Sequence, residues 1–231
     1  DGADHERVLT GTRKVAERDL AVAVGLGWPE GMTTVSAALA LAHLADISVF
    51  ATGGIGGVHR GVELTGDVSA DLDALAHHPV ICVSAGAKAF LDLARTLELL
   101  ETLGVAVVGY RTDHFPAFYT RSSGLPVPHR VESADQIAAV HAARSRLDAG
   151  LLVVNPIPET DELPAPELDR ALTAALADAE AAGIRGGALT PFVLGRIGAV
   201  TQGRSVPANL ALAEANAGLA ADIAMAWSRR P

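Results

Sequence analysis

The chain has 231 residues, of which 49% are hydrophobic and 4% aromatic, a composition that fits one well-packed α/β domain and excludes a disordered polymer. Its net charge of −9, with no basic run longer than Arg229-Arg230, argues against a nucleic-acid backbone as partner, and no stretch approaches the ~20 apolar residues of a membrane span. A single cysteine, Cys82, excludes an intrachain disulfide framework and a thiolate metal cluster, and points to a reducing cytoplasm.

In chain order, residues 20–24 read as a strand and 33–44 as a helix opening after Gly31. Strands are predicted at 47–52, 80–83, 105–110 and 151–155, with helices at 89–103 and 134–147 between several of them. Three helices follow, at 166–182, 191–201 and 209–227, after a loop, residues 155–167, that carries four prolines. The alternation of apolar runs with Ala/Leu-rich helical patterns predicts an α/β fold with a largely parallel sheet covered on both faces. No internal repeat or domain boundary stands out, so residues 1–231 read as one domain. In open sheets of this kind ligands gather at the carboxyl ends of the strands, and the loops there hold the unusual residues.

Only two lysines occur, Lys14 and Lys88, against sixteen arginines. A GC-rich coding bias produces such an excess by itself. The alternative is chemical: arginine cannot form an imine, whereas a partly desolvated lysine beside another cation loses its proton near neutrality and attacks a carbonyl. Lys88 closes VICVSAGAK, where an apolar run gives way to small residues at a strand-to-helix junction.

Residues 51–61, ATGGIGGVHRG, hold five glycines in eleven positions directly after a predicted strand. Such a segment is either a tight structural turn or a concavity whose amides approach an anionic ligand; His59 and Arg60 favour the second. Its glycine spacing does not fit a dinucleotide fingerprint. Asp67, Ser69 and Asp71 then occupy alternate positions. If extended, they converge as oxygen ligands for a hard cation or a ribose; if not, Ser69 or Asp67 caps a helix running through Leu72 and Leu75. Residues 112–124 place Phe115, Phe118 and Tyr119 beside Arg121, suited to a planar ring and an anion or to an ordered loop. Asn155 ends a strand, and Asn209 and Asn216 lie near or on the last helix as site, capping or packing groups.

Taken in order, ATGGIGGVHRG, DVSADL, SAGAK, TDHFPAFYTRSSG, NPIPE, GIRGGALTPFVL and the Asn209 helix resemble the pseudouridine-5′-phosphate glycosidase, or indigoidine synthase A-like, family from Lys14 onward. The resemblance implies a three-layer α/β/α fold with a largely parallel or mixed central sheet, a homotrimer, and a divalent metal such as manganese. It implies reversible cleavage of the C–C glycosidic bond of pseudouridine 5′-phosphate to uracil and ribose 5-phosphate. Matching positions make Lys88 the imine-forming lysine and Asp67 the metal ligand. Lys14, Val35, Ser69, Ala70 and Asp71 match substrate-binding positions; His59 lines the site, and Asn209 is expected on the nucleobase side.

The departures are specific. Family members carry about eighty further residues before the Lys14 region, including a glutamate proton donor that neither Glu6 nor Glu17 matches, so a missing or cleaved N-terminal segment is expected. Gly66 replaces a bulky residue, His114 an acidic one and Gly187 a lysine. These changes motivate a second reading, a C-glycosynthase that joins ribose 5-phosphate to an aromatic polyketide-like acceptor. The absent glutamate motivates a third, a non-catalytic ribose-phosphate-binding remnant.

Overall fold

The structure, a computed structural model, describes residues 13–230; Glu6 lies outside them. Five parallel strands form the main sheet: β3 (Val49–Ala51), β4 (Ile81–Ser84), β5 (Ala106–Tyr110), β6 (His129–Val131) and β7 (Leu151–Val154), in the spatial order β3-β4-β7-β5-β6. A separate parallel pair joins β1 (Lys14–Val15) to β2 (Met32–Thr33). The helices are α1 (Leu20–Gly25), α2 (Val35–Leu44), α3 (Val62–Thr65), α4 (Ala70–His77), α5 (Leu93–Thr102), α6 (Ala134–Ala142), α7 (Ala165–Ala181), α8 (Leu189–Val200) and α9 (Ser205–Ser228).

The three layers follow from strand periodicity. In β4, β5 and β7 the residues Ile81, Val83, Val108, Leu151 and Val153 face one side, where they pack with Ile137 of α6 and with Leu219 and Ile223 of α9. Their neighbours Cys82, Val107, Leu152 and Val154 face the other, against Leu39 of α2, Leu72 and Leu75 of α4, Leu100 of α5 and Leu172 of α7. Both faces are therefore covered, which is why the strands read as continuous apolar runs. Burial pushes the Cys82 thiol far above its ordinary value, leaving it an unreactive core hydrophobe.

One predicted element has the wrong type. Residues 20–24 form α1 rather than a strand, with a 3₁₀ turn at Glu17–Asp19 in front, and none of its residues is buried. A short apolar run carries no periodicity that distinguishes helix from strand. The short strands β1, β2 and β6 lack the length to register as apolar runs. Caps set the helix starts: Thr34 accepts from the Ala37 amide, moving the start of α2 to Val35, and Asp92 accepts from the Arg95 amide at 3.0 Å, delaying α5 to Leu93.

Candidate active site

The loops that leave β3 and β4 run side by side past the carboxyl ends of the sheet. Thr52 donates to the Val83 carbonyl, Ala85 to Gly53, Ile55 to Gly86 and Lys88 to Ile55, at 2.9, 2.9, 3.0 and 3.2 Å. Gly86 sits at φ +76, where a Cβ would collide with the Pro116 carbonyl oxygen, so this turn requires glycine. The backbone of Lys88 is thus held directly by the glycine-rich loop. Its ammonium loses proton affinity: burial is the main cause, the Lys14 charge pushes the same way, and Asp71 opposes both. Lys14 projects from β1, exposed, close enough for that repulsion to act.

Asp67, Ser69 and Asp71 do not form an extended trio. Ser69 is the N-cap of α4, its Oγ accepting from the Asp71 amide at 3.3 Å, so capping is the reading the structure supports. Ala70 opens the helix. The buried Asp71 carboxylate accepts from the Ser36 amide at 2.9 Å through Oδ1 and from the Gly56 amide at 2.8 Å through Oδ2. It ties the start of α2 to the glycine-rich loop beside the start of α4. A Cβ on Gly56 would meet Ser69 Oγ and Asp71 Oδ2, and one on Gly57 would lie 2.5 Å from Thr96 Oγ1, so these glycines are close-approach positions. Val35 is buried as the first residue of α2, which leaves its main chain as the part available to a ligand.

His59 and Asp67 face one another across the loop. The His59 amide donates to the Asp67 carbonyl at 3.0 Å, and Nδ1 lies 3.8 Å from Asp67 Oδ2. Burial lowers the imidazole pKa; Asp67 works against this, while Lys88 and Lys14 reinforce it. The Lys88 and Lys14 charges thus act on His59 in the opposite sense to Asp67. The Asp67 side chain remains 32% exposed, and His59 is its one ion-pair partner among the described residues. A hard divalent cation that keeps most of its waters needs only one or two carboxylates, so Asp67 fits such an ion. No group of three or more His, Cys, Asp or Glu side chains suited to a metal occurs among the described residues.

Asn209 approaches from α9. Its Oδ1 lies 3.3 Å from where a Cβ on Gly53 would stand, beside Leu212 and Phe118. Phe118 itself holds φ +63, a conformation uncommon for a bulky residue, and its ring occupies the space a Gly54 side chain would need. Three further residues singled out in the sequence are bonded to the main chain or face solvent. Arg121 is committed to the Ile157 carbonyl at 2.7 Å, His114 is exposed with its amide on Thr112, and Arg60 is exposed. Gly66 ends α3 at φ +65, a left-handed C-cap that explains glycine there without reference to a ligand. Thr96, buried and accepting from the Val58 amide at 3.0 Å, escaped the sequence reading, because a lone polar residue in a helical pattern gives no sign of what it faces.

Residues 3–226 match the family described as indigoidine synthase A like protein. The chain belongs to that family. Among curated relatives it is 57% identical over 215 residues to the pseudouridine-5′-phosphate glycosidase of Methylobacterium nodulans, covering 92% of this chain and 64% of that protein. It is 54% identical to the enzyme of the same name from Paracoccus denitrificans, covering 93% and 71%. Two solved family structures superpose on it. The prealnumycin C-glycosynthase AlnA, in complex with ribulose 5-phosphate, gives a TM-score of 0.90 at 34% identity, covering 99% of this chain and 76% of AlnA. An indigoidine synthase A-like protein from Thermotoga maritima gives 0.88 at 37%, covering 97% and 74%. The chain thus spans just under two thirds of the length of the first of these curated relatives.

Proposed function

We propose that this chain is a pseudouridine-5′-phosphate glycosidase-like enzyme that reversibly makes and breaks the C-ribosyl bond of pseudouridine 5′-phosphate through a lysine imine. The observation that carries this reading is Lys88: an amine depressed by burial and by a second lysine, fixed where two strand-end loops meet. The identity to glycosidases over most of the chain supports it.

A C-glycosidic bond has no heteroatom leaving group to protonate, so the sugar carbon must become an electron sink. Lys88 Nζ attacks the aldehyde C1 of open-chain ribose 5-phosphate, and water leaves as C=N⁺ forms. In the synthetic direction, the C5 electron pair of uracil forms the bond to C1 while the C=N⁺ π pair returns to nitrogen. The C5 proton passes to a base, and the sugar 4-hydroxyl then displaces the amine as the ring closes, its proton ending on Nζ. Cleavage runs the same steps backwards. Lys14 suits the phosphate; the main chain of Ser69, Ala70 and Asp71 at the start of α4, with Val35 at the start of α2, suits phosphate or sugar oxygens. His59, its imidazole pKa lowered by burial, would line the sugar side, and Asn209 suits a hydrogen bond to the nucleobase edge. Asp67 would hold the divalent metal, probed first as manganese, whose charge would neutralise phosphate and order water.

The family's homotrimer is proposed on the same footing. It is supported by α1, a wholly apolar helix that exposes Val24 at 82% and is followed by Leu26 at 70%, an apolar surface that calls for a cover. A cytoplasmic setting suits a free, buried Cys82, and no helix among the described residues is long and apolar enough to cross a membrane.

The test is conversion of pseudouridine 5′-phosphate, with ribose 5-phosphate plus uracil in reverse, by the protein with manganese present. Interconversion in both directions is expected. Coupling of ribose 5-phosphate to an aromatic acceptor without uracil turnover would replace this reading with the C-glycosynthase one, and no chemistry with either acceptor would leave the binding remnant.

A further inference from the structure

We infer that Asn216 is a positioning residue for Lys88, acting through the glycine-rich loop; the inference rests on the imine role proposed for that lysine. Residues 209, 212, 216, 219 and 223 follow one another at spacings of three and four on α9, and so share a face. Leu212, Leu219 and Ile223 are buried hydrophobes on that stripe. Asn216 interrupts them with an amide that is 0% exposed. A buried amide is costly unless bonded, so an apolar stripe tolerates one only where its hydrogen bonds are needed.

Those bonds join three elements. Asn155, just past β7, donates through Nδ2 to Asn216 Oδ1 at 3.0 Å. Asn216 Nδ2 donates to the Thr52 carbonyl at 2.8 Å and to the Gly53 carbonyl at 3.5 Å. The Asn155 amide donates in turn to the Ser84 carbonyl at 2.8 Å, at the end of β4. Thr52 and Gly53 begin the loop whose next members set the Lys88 backbone: Gly53 accepts from Ala85, and Ile55 accepts from Lys88. Asn216 therefore fixes the depth at which the loop leaves β3, and through Ile55 the depth of Lys88. The same side chain sets α9 against the loop two turns from Asn209, so the nucleobase-side residue and the imine lysine share one reference point.

Asn216→Leu keeps the branched outline and continues the apolar stripe but removes both bonds to the loop and the acceptor for Asn155. Asn216→Asp keeps the shape and the acceptor for Asn155, and sets a carboxylate oxygen against the Thr52 carbonyl. The measurement is the rate constant for borohydride-trapped adduct formation with ribose 5-phosphate, taken against its concentration. A purely structural role would lower the amplitude, through loss of folded protein, and leave the saturated rate constant unchanged. The inference expects the saturated rate constant to fall roughly tenfold or more in either variant, with little change in the half-saturating concentration, because Lys14 and the phosphate contacts stay in place. Asn155→Leu, which leaves both loop bonds standing, should lose less. Should Asn216→Leu not fold, Asn216→Asp decides alone. A saturated rate constant within about twofold of the parent in whichever variant folds would overturn the inference. Absence of adduct in the parent protein would instead overturn the imine role on which it rests.

Discussion

Lys88 and Lys14 form an electrostatic pair whose sign is testable. The Lys14 charge lowers the pKa of Lys88, so removing it raises that pKa and reduces the free-amine fraction at any given pH. In Lys14→Met, measured with saturating ribose 5-phosphate, the pH profile of adduct formation should move to higher pH. An unchanged or acid-shifted midpoint would contradict the pairing. The Asp71 side chain holds the fold beside the main-chain role proposed for that residue, each carboxylate oxygen accepting from a main-chain amide. Asp71→Asn sets an NH₂ against one of those amides, and denaturant unfolding should show a loss of about 2–4 kcal/mol. A variant as stable as the parent would mean that the two hydrogen bonds contribute nothing net.

At the scale of elements, α6 and α9 meet through His141 and Trp227, whose rings are 5.0 Å apart at 72°. The His141 ring is buried, with Nδ1 lacking a hydrogen-bond partner, and burial, then the Arg144 charge, lowers its pKa from 6.5 to about 4. A depressed histidine stabilises the fold in its neutral form, so its contribution is complete above pH 6.5 and is lost as pH falls toward 4. Melting temperature should drop across that window, and His141→Phe, which keeps the ring contact without the titration, should flatten the drop. An equally steep fall in the variant would assign the acid sensitivity elsewhere. Elements also show what the sequence made legible. The long apolar runs of β4, β5 and β7 and the glycine-rich loop stand out because burial on both faces and close backbone approach each demand a narrow set of residues. By contrast, α1 misread as a strand because six apolar residues carry no period, and Asn216 was left between packing and site because its three partners come from distant parts of the chain. The Lys88 turn was legible from lysine scarcity. Its dependence on Ile55, Gly53 and α9 became visible only once parallel loops were set side by side.

For the whole molecule, Asp71 ties the start of α2 to the glycine-rich strand-end loop, and α9 brings Asn209 up to Gly53 of the same loop. Light scattering on the purified protein should return three copies per particle if the uncovered apolar helix α1 belongs to a subunit interface; a monomer at micromolar concentration would remove the trimer. The proposed reaction turns on Lys88. The most direct measurement is the intact mass of the parent protein and of Lys88→Ala after incubation with ribose 5-phosphate and borohydride. A single reduced sugar-phosphate adduct on the parent, absent from the variant, is the expected result. An adduct that persists in Lys88→Ala, or a parent that forms none, would contradict the imine chemistry.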